Sequence, residues 1–115
     1  MVVAALTIAE GAPESFVSMI ECDGRTVIAD AFGIADPAND VILNVFEAQR
    51  MDPRFAITCH VNGFPIGGRV DKGDNIALHI VRGLNRLFGG VGHAGAYLQI
   101  GPHTFWKSTY DQGVL

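Results

Sequence analysis

Apolar residues along this chain fall into runs of different period, and the periods predict its elements. Residues 2–9 (VVAALTIA) form a short continuous apolar run, the pattern of a buried strand. Phe16, Val17, Met19 and Ile20 follow Pro13 at helical spacing, yet Asp23-Gly24 between two apolar runs also reads as a hairpin turn. The stretch 14–22 stays open between the two, and 26–32 (TVIADAF) reads as strand. Asp36-Pro37 predicts a helix start, with Ala38, Val41, Ile42, Val45, Phe46 and Ala48 on one arc and an end near Met51, ahead of Pro53. Residues 55–61 and 64–70 flank Asn62-Gly63, which predicts a hairpin whose polar face carries Thr58, His60 and Arg69. Pro65 gives that second strand a free or interrupted edge.

A second helix is predicted over about 74–88. Ile76, Ala77, Ile80, Val81, Leu84, Leu87 and Phe88 form its apolar face, and Asn75, His79, Arg82, Asn85 and Arg86 its polar one. Gly83 costs about 1 kcal/mol relative to Ala inside a helix, which marks a place of close packing. Gly89-Gly90 stops the helix, a strand follows at about 96–100, and Phe105, Trp106 and Tyr110 form a tail expected to pack on the domain or a partner. These elements predict an α+β (α/β-like) fold: a mixed sheet of about five strands with two or three helices packed on it, one domain over residues 1–115.

Composition narrows the function classes. The chain is 49% hydrophobic and 17% charged, which excludes disorder, and its net charge of −4 excludes a general basic surface for nucleic acid. No apolar run reaches the ~20 residues that a bilayer requires, and none is led by basic residues, so a cytoplasmic protein is expected. Cys22 and Cys59 are then expected as reduced, buried thiols. The histidines, His60, His79, His93 and His103, show no metal-ligand spacing, and the serines lack a nucleophile context.

The densest glycine cluster is Gly89-Gly90-Val91-Gly92-His93-Ala94-Gly95. Residues 90–95 match G-x-G-x-x-G literally, but they follow a helix and precede a strand, the reverse of a dinucleotide site. Two readings remain. Gly89 and Gly90 cap the helix and the later glycines turn the chain, or successive N–H groups with the His93 ring form a nest for an anion.

Arg69 at a strand end, Asp74-Asn75-Ile76 opening a helix and the Phe88–His93 loop resemble the C-terminal DHHA1 domain of the DHH-family phosphoesterases over residues 54–100. The resemblance implies a phosphate- or nucleotide-binding module, with Gly89, Gly90, Gly92 and His93 as the cradle and Arg69 as a charged contact to phosphate. The ligand would be a phosphorylated substrate, nucleotide or single-stranded nucleic acid. No DHH triplet occurs in the 115 residues, so Mn²⁺ and hydrolysis are expected only in a separate DHH catalytic domain, with no cofactor and no catalytic residue in this chain. The rival reading is a structural or homo-oligomerisation domain, such as a homodimer, whose glycine loop is only a cap and turn; the aromatic tail and an open hairpin edge favour it.

Overall fold

The structure, a computed structural model, describes residues 1–89 and 92–111. Eight elements follow in order: β1 (Val2–Ala9), α1 (Glu14–Phe32), α2 (Pro37–Asp40), β2 (Val41–Ala48), β3 (Phe55–Gly63), α3 (Gly73–Leu87), β4 (His93–Ile100) and β5 (His103–Ser108). The five strands form one sheet in the order β2-β1-β3-β4-β5. β1 pairs parallel with β2 and β3 parallel with β4, while β1–β3 and β4–β5 are antiparallel. Parallel neighbours need a crossover, and α1 and α3 supply the two. The chain is thus two β-α-β units set side by side, closed by β5, and the expected mixed five-stranded α+β architecture is the one observed.

Both crossover helices lie on one face of the sheet and touch each other. Beneath them the inward positions of the strands, Val2, Leu6, Ile8, Ile57, Val61, Leu98 and Ile100, are almost fully buried against Ile20 and Ile28 of α1 and Ile80 and Leu84 of α3. Full burial of an aliphatic side chain contributes about 1.5–3 kcal/mol, so this layer supplies the main driving force.

Three expected elements differ. Residues 26–32 continue α1 instead of forming a strand, because Ile20, Gly24 and Ile28 recur every fourth residue on its buried side. Gly24 makes a close approach, not a turn: a Cβ there would stand 2.7 Å from Leu6 Cδ1. The helix closes at Gly33 (φ 69°), where Ile34 N–H donates to Ala29 O at 2.8 Å. After one turn of helix at Pro37–Asp40, residues 41–48 form a strand with Val41 and Leu43 buried and Ile42 and Asn44 exposed. The predicted hairpin is absent. β3 already has β1 and β4 on its two edges, and Gly67 and Gly68, at φ 61° and 76°, turn the following segment away.

α3 has the predicted apolar face, with one exception. Asn85 is buried at 6% exposure, and its Nδ2 donates to Gly92 O at 2.9 Å, tying the helix end to the start of β4. Gly83 faces Val27 of α1, and a Cβ at that position would lie 2.6 Å from Val27 Cγ1. The glycine therefore sets the helix–helix distance. Gly83→Ala is expected to lower stability in the native background, since overpacking costs about 1–3 kcal/mol. In a Val27→Ala background the same change should raise stability by about 1 kcal/mol through helix propensity. Urea unfolding of the four proteins checks this, and an effect of the same sign in both backgrounds would refute the contact as the reason for the glycine.

Candidate functional site

Arg69 does not converge with the glycine loop expected to cradle an anion. β3 and β4 run parallel with Phe55 opposite His93 and Gly63 opposite Ile100. Arg69 sits at the far end of β3, where its Nη1 donates to Phe64 O at 3.3 Å and its guanidinium lies 5.1 Å from the Phe32 ring centroid. The length of β3, roughly 25 Å, therefore separates Arg69 from His93.

At the glycine loop, the Gly89 N–H donates to Arg86 O at 3.0 Å, and Gly89 has φ 65°, so it closes α3. Gly92 (φ 82°) passes so near β3 that a Cβ would stand 2.7 Å from Ala56 Cβ. Gly90 lies outside the described residues. The His93 N–H donates to Arg54 O, and its Nδ1 lies 3.0 Å from Thr109 Oγ1, which also accepts the Ala94 N–H at 2.9 Å. Thr109 is fully buried, so the imidazole is anchored on one side and meets the Tyr110 ring edge-on at 5.2 Å on another. Arg54 covers Tyr110 at 4.9 Å and is paired with Asp52. The Arg54 side-chain hydrogen bonds hold the Asp52 carboxyl down to about 2 and raise the guanidinium in turn. At this end of the sheet Arg54 is thus engaged with Asp52 and Tyr110.

No helix or strand among the described residues covers the face of the sheet away from α1 and α3, and its side chains form cross-strand rows. Val3 stands between Ile42 and Asn62, with Gln99 and Thr104 beyond; Ala5 between Asn44 and His60, with Tyr97 and Trp106 beyond; Thr7 between Phe46 and Thr58, with Gly95 and Ser108 beyond. Large rings in the second row, and small residues on β1, β3, β4 and β5 in the third, leave a hollow of about 260 Å³ over Thr7, Thr58, His60, Tyr97 and Trp106. A second, almost wholly apolar hollow of about 220 Å³ opens at the start of β1 among Met1, Val3, Asn62, Gly63 and Phe64. Polar alternation in 55–62 places Thr58 and His60 on this face from sequence; the contributions of Thr7, Tyr97 and Trp106 depend on strand order.

Among the described residues, no three His, Cys, Asp or Glu side chains gather to hold a metal ion, and no helix is long and apolar enough to cross a membrane. The aromatic tail is only partly packed. Phe105 lies against the core, whereas Trp106 and Tyr110 are about half exposed.

No family model and no curated protein matches the sequence. Solved structures do match the fold. A macrophage migration inhibitory factor-like protein from Entamoeba histolytica superposes with TM-score 0.54 at 15% identity, over 86% of this chain and 85% of that one. A fused 4-OT wild type symmetric trimer, W0, gives 0.58 at 10% identity over 85% of each chain. The macrophage migration inhibitory factor of Toxoplasma gondii gives 0.51 at 18% identity, over 90% of this chain and 99% of that one. The chain shares its fold with these proteins.

This shared fold overturns the DHHA1 resemblance and, with it, the reading of the chain as the phosphate- or nucleotide-binding half of a phosphoesterase. The shared signals, an arginine after a strand and a glycine loop after a helix, are local. The β-α-β arrangement sends them to opposite ends of the sheet.

The cysteines also divide: Cys59 is buried and Cys22 exposed on α1. Burial pushes the Cys59 thiol far above its ordinary range, so it stays protonated and unreactive across neutral and mildly alkaline pH. One thiol per native chain should react with a coloured aromatic disulfide, both after denaturation, and none in native Cys22→Ser. Two fast thiols in the native protein would contradict the burial of Cys59.

Proposed function

We propose that the protein works as a symmetric homotrimer assembled through the uncovered face of its sheet. The observation that carries this reading is the apolar half of that face, where Val3, Ile42 and Phe46 are 43%, 44% and 54% exposed although their strands lie in a fully formed sheet. Soluble monomers rarely leave several large apolar side chains near one another in water, and along β2 the polar Asn44 stands between Ile42 and Phe46. The patch continues around the hollow at Met1 and Phe64, which a partner can fill.

Two matched structures are described as symmetric trimers, W0 and a second fused 4-OT protein, Q0, with TM-score 0.58 at 15% identity over 87% of this chain and 85% of that one. A threefold ring uses a heterologous contact, in which two different patches of one chain meet. This chain offers two: the β2 side with Ile42 and Phe46, and the segment after β3 with exposed Phe64 and Ile66. Covering Val3, Ile42 and Phe46 fully contributes roughly 1 kcal/mol each, enough to bias association once backbone and polar contacts add to it.

Sedimentation is expected to give three times the 12.3 kDa mass of one chain. Ile42→Asp and Phe46→Asp should each shift the population to folded monomers with unchanged far-ultraviolet circular dichroism. A wild-type chain that sediments as a monomer at every concentration sinks the reading.

A further inference from the structure

We propose that the hollow in the middle of the open face binds a small, uncharged, planar ligand that stacks on Trp106 and Tyr97 and hydrogen-bonds to Thr7, Thr58 and His60. The inference goes beyond the assembly reading, because every wall of the hollow comes from one chain.

The aromatic wall is held in place before any ligand arrives. Trp106 lies across Gly95, where a Cβ would stand 2.6 Å from indole Cη2. Its ring meets Phe55 edge-on, with centroids 6.0 Å apart and planes at 89°, and its Nε1 donates to Asp111 Oδ2 at 3.3 Å. These contacts hold the indole while leaving the residue 46% exposed. Tyr97 stands beside it as the cross-strand partner of Trp106 and meets His60 edge-on at 4.6 Å. Rings fixed in this way lose little conformational entropy on binding.

The floor is polar without being charged. Thr7 and Thr58 face each other across β1 and β3. Among the described residues, the side chains of Thr7, Thr58, His60 and Tyr97 take part in no hydrogen bond within the chain. Four sets of donors and acceptors are therefore free for a ligand beside two rings. Among the described residues no Lys, Arg, Asp or Glu side chain lines the hollow, and the chain carries net charge −4, so no permanently charged group favours an anionic ligand. About 260 Å³ limits the occupant to a single ring with one or two polar substituents.

Trp106 is the only tryptophan, so its emission reads occupancy directly. Nicotinamide, an uncharged planar amide, is the probe, and nicotinate, the same ring bearing a carboxylate, is its control. Nicotinamide is expected to quench Trp106 saturably and nicotinate roughly tenfold more weakly; Tyr97→Ala and Thr58→Val should each weaken nicotinamide several-fold to tenfold, the range that a lost stacking or hydrogen-bonding contact gives. Thr58→Val keeps the shape of the side chain and so guards against a folding defect. Quenching that stays linear, or is the same for both probes and in both variants, overturns the proposal. The titration is repeated with Phe46→Asp: retained nicotinamide binding in a monomer supports the hollow whatever the fate of the trimer, and sedimentation of the wild type judges the trimer separately.

Discussion

Two parallel strand pairs can be made in one short chain only if two segments cross back over the sheet, and in this protein both crossings use the same side. α1 and α3 must then pack against each other as well as on the strands, which places Gly83 against Val27 and Gly24 against Leu6. Those close approaches let two helices cover five strands with a core of Val, Ile and Leu. Their consequence is asymmetry: one sheet face is dry, and among the described residues no helix or strand lies above the other. Every candidate for function on the open face follows from that imbalance.

The same topology explains why a plausible local motif fails. Arg69 and the Gly89–His93 loop are separated by one helix in sequence, a spacing that suggests a shared site. A crossover helix, however, carries the chain from the end of one parallel strand back to the beginning of the next. Arg69 follows the end of β3, and His93 opens β4, so the helix between them holds them a strand length apart. In a β-α-β unit, residues flanking the helix are brought together only when one of them moves along its strand. Here both stay at the strand ends, and each finds nearby partners: Phe32 and Phe64 for Arg69, Thr109 and Tyr110 for His93.

Legibility in the sequence follows from how many periods a segment satisfies. Residues 2–9 are continuously apolar and fit only a buried strand, and 73–87 have one helical stripe and a glycine stop; both elements are found close to their expected bounds. Residues 41–48 satisfy two periods at once, because Val41, Ile42, Val45 and Phe46 suit a helix and Val41, Leu43 and Val45 suit a strand. Parallel pairing with β1 decides between them, a contact with a residue some forty positions away. Asp23-Gly24 carries the chemistry of a turn, but the glycine is needed where α1 meets Leu6. Asn62-Gly63 likewise marks the end of a strand whose two edges are already filled. Fold class therefore emerges from composition and apolar runs, and the alternation of 55–62 already puts Thr58 and His60 on one face, while the other open-face residues emerge only once strand order is known. Thr7, Tyr97 and Trp106 come from three further strands and share no local pattern with them.

The rows across that face also divide it by chemistry, and the division bears on how one surface can serve two ends. Toward β2, Val3, Ile42 and Phe46 offer apolar area with little to hydrogen-bond. Toward β3, β4 and β5, Thr58, His60, Asn62, Gln99 and Thr104 carry polar groups that a dry protein contact would have to match one by one. Burying such groups without partners costs about 1–3 kcal/mol each, so a ring of copies is stable if it closes over the apolar half and leaves the polar half wet. Water or a ligand then remains in the hollow beside Trp106. Assembly through the β2 edge and binding in the hollow do not compete, because Val3, Ile42 and Phe46 lie toward β2 while Tyr97, Trp106 and the free hydroxyls lie toward β3, β4 and β5.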